Sequence, residues 1–279
     1  MSLNASAVLL ISAAFHALWN FTLKRSSYRV GTSLGLMVGA TLLNAAYALA
    51  TAKLPEFSSA LIIGVLFAGV SEGFYFFLLT SAYAKQSLGV AYTIMRGGAM
   101  ILVWIISTIS LGEAITSTDV VSIASILVGI GFIQRSMSWR ALVSSGIYAA
   151  YICAGCIAGY HIGYGTAVRT GAAPALVFAA SMACGVVTFL VCDRGRAVLE
   201  LRQAFSIERY LLISGSAMCG LSFLLFLTAL TDVEPGRAIS IRNTSVAFGA
   251  LLSFATGEKL ISGQWVGVLL VVCGALLLV

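Results

Sequence analysis

FHALWNFTLK at residues 15–24 and GYHIGYGTAVR at 159–169 hold the chain's only two histidines, and reading the two stretches together decides the fold. His16 and Lys24 in the first match His161 and Arg169 in the second, 145 residues apart in both cases. Farther along, AYTIMRGG around Arg96 answers AISIRNTS around Arg242 at a shift of 146, and LGE ending at Glu113 answers TGE ending at Glu258 at 145. Drift of apolar composition has no reason to keep four such landmarks in order and spacing. The chain therefore reads as two copies of one unit.

Composition says what the unit is made of. Hydrophobic residues are 60% of the 279, charged residues only 9%, and the mean hydropathy is +1.02. No soluble domain has this balance. Apolar runs of roughly 18–25 residues, each able to cross a ~30 Å hydrocarbon core as a helix, follow one another end to end. Ten are predicted: 5–23, 31–50, 59–83, 87–111, 117–134, 140–165, 173–192, 207–230, 237–256 and 260–279. The first reads as a retained span rather than a signal peptide, with no basic residue before it and no small-residue cleavage site. Connections are short, and only the stretch from Asp193 to Ser206 has room for a small amphipathic element. That leaves no length for a soluble catalytic, nucleotide-binding or DNA-binding domain.

Five helices per copy is an odd number, so the second copy must enter the membrane inverted. The predicted architecture is an all-α integral membrane protein of ten transmembrane helices in two inverted five-helix repeats, residues 1–134 and 140–279. In such proteins substrate binds near the midplane between the halves, and access alternates as one half rocks against the other. The net charge of +6 does not point to nucleic acid here, because the basic residues sit between helices. Eleven of the sixteen Lys and Arg fall in odd-numbered connections and three (Lys53, Arg169, Arg237) in even ones. Taken alone, the positive-inside rule then puts both termini outside.

FHALWNFTLK at 15–24, YTIMRGG at 92–98 and LGEAIT at 111–116, together with ten spans and a repeat, resemble the EamA-type members of the drug/metabolite transporter superfamily over the whole chain. The resemblance implies a secondary carrier, of a family with many exporters of amino acids or other small metabolites and no ATP hydrolysis. It also implies cytoplasmic termini, against the loop count, and that orientation is the one expected. Tyr164 stands where related sequences often carry an acid, which removes any acid-dependent role from that helix.

Charges inside the spans nominate the site. Ser12, His16, Asn20 and Lys24 are spaced by four and form a polar stripe on one helix face. Such a stripe avoids lipid and faces another helix or water. In the second half His161, Gly165 and Arg169 occupy the equivalent stripe. His16 suits either a hydrogen bond between helices or a substrate or proton role. Lys24 and Arg169 read as interfacial snorkelling residues, and Trp19 as a residue of the aromatic belt.

Glu72 sits mid-helix in LFAGVSEGFYFFLL, where an ionised group costs roughly 2.5–3.5 kcal/mol by insertion scales. Arg96 is expected to pair with it, since helices three and four are joined by a short loop. Arg242 has Cys219, not an acid, at the repeat position of Glu72, so it wants either Glu72 across a central cavity or an anionic substrate group gripped bidentately. Tyr75 and Tyr92 lie one turn from Glu72 and Arg96 and could wall the same site. The candidate substrate-binding set is Arg96, Arg242, Glu72, His16, Asn20, Tyr75, Tyr92 and His161.

Other patterns carry less. Cys153 and Cys156 form a CxxC inside an apolar helix with no second pair, a poor metal or redox site. Gly155, Gly159 and Gly163, and Gly263 and Gly267, recur every four residues, as close helix contacts require. LGE and TGE read as helix terminators.

The function expected is therefore secondary-active transport, by preference export, of a small polar or amphipathic metabolite such as an amino acid or organic anion. A lipid or lipid-linked metabolite flippase and, behind it, an integral-membrane enzyme are the alternatives. The expected setting is a multi-pass protein of the cell membrane. It would be a monomer or a weak homodimer, with the bilayer and a small molecule as partners, protons as a candidate coupling ion, no nucleic acid and no cofactor.

Overall fold

A computed structural model describes residues 3–53, 55–111, 116–135, 144–233, 235–258 and 260–277. The expected LGE terminator at Glu113, the boundary stretch beyond Arg135 and the connection residue Lys259 lie outside them. The described residues form helices and connections, with no strand. Helices α1 (Leu3–Arg25), α2 (Arg29–Thr51), α3 (Ser59–Lys85), α4 (Leu88–Leu111) and α5 (Ser117–Arg135) are followed by α6 (Ser145–Val168), α7 (Pro174–Asp193), α8 (Ala197–Ile207) and α9 (Arg209–Ala229). The last are α10 (Pro235–Asn243), α11 (Ser245–Ala255) and α12 (Ser262–Leu277). Helix is the expected outcome, because a segment in lipid must satisfy every backbone group internally.

Among the described residues eight segments are long and apolar enough to cross a membrane, one of them running through α10 and α11 as Ala238–Ala255. The 24-residue α6 and the 16-residue apolar α12 are compatible with a set of ten. The amphipathic element expected after Asp193 is α8. Its first turn is held by Asp193, whose carboxylate accepts the Ala197 N–H.

One predicted helix is two. The span 237–256 is interrupted at Thr244, where Thr244 N bonds Ile241 O at 3.1 Å and Ala247 N bonds Thr244 O at 2.9 Å, a tighter three-residue spacing. The Thr244 hydroxyl donates to the same Ile241 carbonyl at 2.7 Å and competes for the acceptor that would continue the α-helix. Its first-half counterpart α4 runs unbroken.

Neighbours in sequence are not the main neighbours in space. α3 packs most extensively along α6 and α7, α1 along α9, α5 along α12 and α4 along α6, while α2 lies between α7 and α9. Glycines set the closest approaches. A Cβ on Gly163 of α6 would lie 2.6 Å from the Ala68 nitrogen and 2.7 Å from the Gly64 oxygen of α3. A Cβ on Gly267 of α12 would lie 2.5 Å from the Gly129 oxygen of α5. Small residues let backbones meet where lipid supplies no hydrophobic drive. Gly155 has open space instead, so the predicted glycine face of α6 is used only at Gly159 and Gly163.

The first, third, seventh and ninth connections meet at one end of the bundle. Lys24 Nζ donates to the Tyr83 and Gln86 carbonyls at 2.8 and 2.6 Å and pairs with Glu258 at 3.5 Å. Glu258 accepts the Leu88 N–H that opens α4 at 2.9 Å, and Gly257, at φ +79°, ends α11 as TGE predicts. Glu208 holds Ser26 and Ser27 at 2.6 and 3.0 Å, and Glu200 holds the first N–H groups of α2, Val30 and Gly31, at 3.1 and 3.0 Å. Lys24 is therefore anchored inside the protein rather than snorkelling, whereas Arg169 is exposed.

Candidate functional site

The polar face of α1 is the spine of the site. Ser12, His16 and Asn20 are fully buried. Ser12 and Ser222 of α9 exchange hydroxyl-to-carbonyl bonds at 2.7 and 2.9 Å, which ties the two helices together. One turn on, His16 Nδ1 takes two donors, Trp19 Nε1 at 3.2 Å and Arg242 Nη2 at 3.0 Å. Both groups can only donate, so Nδ1 is unprotonated and the imidazole proton sits on Nε2. Another turn on, Asn20 donates to the His16 carbonyl at 2.8 Å and accepts from the hydroxyls of Tyr83 at 2.6 Å and Tyr75 at 3.5 Å. Trp19, expected in an interfacial belt, is fully buried as a partner of His16.

Arg242 sits in the last turn of α10, immediately before the break. Its guanidinium lies 4.3 Å from the Phe223 ring and 4.2 Å from that of Phe226, and it also donates to Ser222 Oγ at 3.3 Å. Nη2 is thus committed, and aromatic faces supply the electrostatic support that lipid cannot. Nε and Nη1 have no partner among the described residues.

Arg96 is lonelier still. It is 1% exposed, and none of its three guanidinium nitrogens has a hydrogen-bond partner among the described residues. The ion pair expected between Arg96 and Glu72 is not formed. Glu72 is fully buried and receives a short hydrogen bond on Oε2 from the Tyr164 hydroxyl of α6, while Oε1 has no partner. The reason is topological: α3 and α4 are consecutive but barely touch, and α3 presents Glu72 to α6.

The remaining predicted residues gather around this core. Tyr92 of α4 lies 6.1 Å, ring to ring, from His16, and Tyr75 lies 5.9 Å from Tyr160. His161 packs 4.6 Å from Tyr160 and 5.2 Å from Phe226, with neither ring nitrogen hydrogen-bonded. Arg96 and Arg242 both lie within electrostatic range of His16, His161, Tyr92 and Tyr160. All eight candidates are buried. Among the described residues no group of three or more His, Cys, Asp or Glu could hold a metal ion. Cys153 of the CxxC gives its thiol to the Tyr75 carbonyl at 3.7 Å.

This is a cationic, histidine-bearing cluster walled by aromatics and built where helices of both halves cross. Residues 144–279 match the EamA-like transporter family. The second half of the chain is therefore an EamA-like unit, consistent with an EamA-type transporter of the drug/metabolite transporter superfamily. A solved structure described only as the crystal structure of a protein is similar, with a TM-score of 0.60 at 14% identity over 97% of this chain and 97% of its own; that likeness speaks for the fold alone. No curated protein matches the chain. The family match and the spans together make the chain a multi-pass membrane protein.

Sequence reasoning missed Tyr164, Ser222, Phe223 and Phe226. A signal for one of them was present: the 145-residue shift that aligns His16 with His161 also aligns Trp19 with Tyr164.

Proposed function

We propose that this transporter is a secondary carrier that exports a small metabolite bearing an anionic group, working by alternating access between two inverted five-helix repeats, residues 1–134 and 140–279. The repeat is supported by the way contacts exchange. Swapping α1 to α5 with α6, α7, α9, the α10–α11 pair and α12 turns the α3–α6 packing into α9–α1, and α3–α7 into α9–α2. It also turns α4–α6 into the packing of α10 and α11 on α1. Every one of these contacts joins the two halves, so a rocking motion would remake the surroundings of α1 and α6.

The observation that carries the substrate class is the guanidinium of Arg96, buried and without a hydrogen-bond partner among the described residues. A charge in that position is costly by a few kcal/mol unless something neutralises it. With Glu72 turned to Tyr164 and Arg242 also cationic, the missing partner is a carboxylate or phosphate-like group. Arginine binds such groups in two places at once. Asn20, Tyr75, Tyr92 and His161 line the same region and would shape the non-ionic part of the substrate. Glu72, a buried carboxyl held by a tyrosine hydroxyl, is the group assigned to proton coupling.

The test is a thermal-shift screen of the purified protein against amino acids, organic acids, phosphonates and organic cations, since a ligand of the native state raises its unfolding temperature. Stabilisation by anionic compounds that is lost in Arg96→Lys supports the assignment. Stabilisation by cations alone overturns it.

A further inference from the structure

A second site lies on the flank of the bundle, away from the buried cluster. α8 sits across the start of α2, so close that a Cβ on Gly31 would fall 2.3 Å from the Glu200 backbone. Below it, along the seam where α2 packs on α9, lies an open cavity of about 660 Å³, within the size range of ligand pockets. Its walls are Val38, Leu42 and Leu43 of α2 with Leu212, Ile213 and Ala217 of α9. From Gly35 to Leu43 the groove descends eight residues of α2, or about 12 Å at helical rise. One leaflet of a ~30 Å hydrocarbon core is about 15 Å. The groove therefore spans most of the depth of a leaflet.

Only one charged side chain touches this cavity, and it does so at the α8 end: Arg202, which is exposed and has no hydrogen-bond or ion-pair partner among the described residues. The surrounding charge is unbalanced in the same sense. Between Asp193 and Tyr210 there are four arginines, at 194, 196, 202 and 209, and three acids. All three acids are turned inward onto backbone N–H groups, Asp193 on Ala197, Glu200 on Val30 and Gly31, and Glu208 on Ser27. The arginines are left exposed without acids to neutralise them, beside the exposed apolar residues Leu199, Phe205 and Ile207. A basic amphipathic helix at that depth meets lipid phosphates.

The equivalent groove between α3 and α7 is an internal contrast. It is about 220 Å³ and lined by apolar residues such as Phe57, Leu61 and Leu176, with no charged side chain.

We propose that the α2–α8–α9 groove binds one acyl chain of an anionic phospholipid whose phosphate is held by Arg202. The occupant lies along the seam of α2 and α9, and this assignment does not depend on which metabolite is carried.

The test uses the full chain purified in a mild detergent, with phosphatidylglycerol, phosphatidylcholine or free glycerol phosphate added and bound lipid read by native mass spectrometry. Phosphatidylglycerol is expected to bind at least tenfold more tightly than phosphatidylcholine, and Arg202→Gln to erase that preference. Ala217→Phe, which fills the groove, should exclude both lipids, and glycerol phosphate should not compete. Equal binding of the two lipids by the native protein overturns the proposal, as does an undiminished preference in Arg202→Gln. Displacement by free glycerol phosphate overturns the chain-binding part. Should Ala217→Phe fail to fold, Arg202→Gln still decides, because Arg202 is exposed and has no hydrogen-bond or ion-pair partner among the described residues.

Discussion

Arg242 Nη2, in the last turn of α10, donates to His16 Nδ1, in the middle of α1, at 3.0 Å. This bond fastens the first helix of the chain to the residue that precedes the break at Thr244. It also fixes the histidine's proton on Nε2, a buried donor with no partner of its own among the described residues. Any change in what Arg242 binds is therefore felt directly by α1.

The first prediction separates the acceptor at His16 from its ring. His16→Ala deprives Arg242 and Trp19 of a shared acceptor and should lower stability by about 1–3 kcal/mol, the range for leaving a buried donor unsatisfied. His16→Asn can return an acceptor oxygen near the Nδ1 position and should recover most of the loss. Thermal unfolding of the two variants in detergent makes the comparison, and equal losses would assign the effect to ring packing.

The second concerns Arg96. Because this guanidinium has no hydrogen-bond partner to lose among the described residues, Arg96→Lys should unfold within a few degrees of the native protein while transport in membrane vesicles falls at least tenfold. Arg242→Lys should behave differently: it loses two aromatic contacts and two hydrogen bonds, so stability and transport should fall together. Native-like transport by a folded Arg96→Lys protein would remove Arg96 from the substrate site.

How far the sequence could be read is clear from these residues. The two arginines, Glu72 and His16 were legible because an ionisable group inside an apolar run is conspicuous, and the repeat shift paired Arg96 with Arg242. Their partners were not. Glu72 is bound by Tyr164, 92 positions away, because α3 crosses to the second half instead of packing on α4. No periodicity encodes that choice. The break at Thr244 was silent for a different reason: it involves neither glycine nor proline, only a threonine hydroxyl competing for a carbonyl. Phe223 and Phe226 were hidden because a phenylalanine that cradles a guanidinium looks, in sequence, like one that faces lipid.

The third prediction addresses Glu72. With a single tyrosine hydroxyl for a partner and no cation within ion-pair distance among the described residues, the side chain is suited to carry a proton. Glu72→Gln keeps the shape and an acceptor for Tyr164, so it should fold normally yet lose the dependence of transport on an imposed pH gradient. Tyr164→Phe removes the hydroxyl alone and should cost about 1 kcal/mol. A gradient response that persists in folded Glu72→Gln would place coupling elsewhere.

The last prediction tests the packing that brings Glu72 to Tyr164. Gly155 and Gly163 belong to the same glycine face of α6, yet only Gly163 touches a neighbouring backbone. A side chain at Gly163 must push α3 away, because the atoms in its path are the Ala68 nitrogen and the Gly64 oxygen rather than a flexible side-chain tip. Overpacking of this kind costs typically 1–3 kcal/mol, and more where backbone cannot yield. Gly163→Leu should therefore give little folded protein, whereas Gly155→Leu, with open space around its Cβ, should elute and unfold much as the native chain does. The pair is compared by size-exclusion profile and thermal unfolding. Equal damage from both substitutions would mean that general helix propensity, and not the α3–α6 contact, is what the glycines serve.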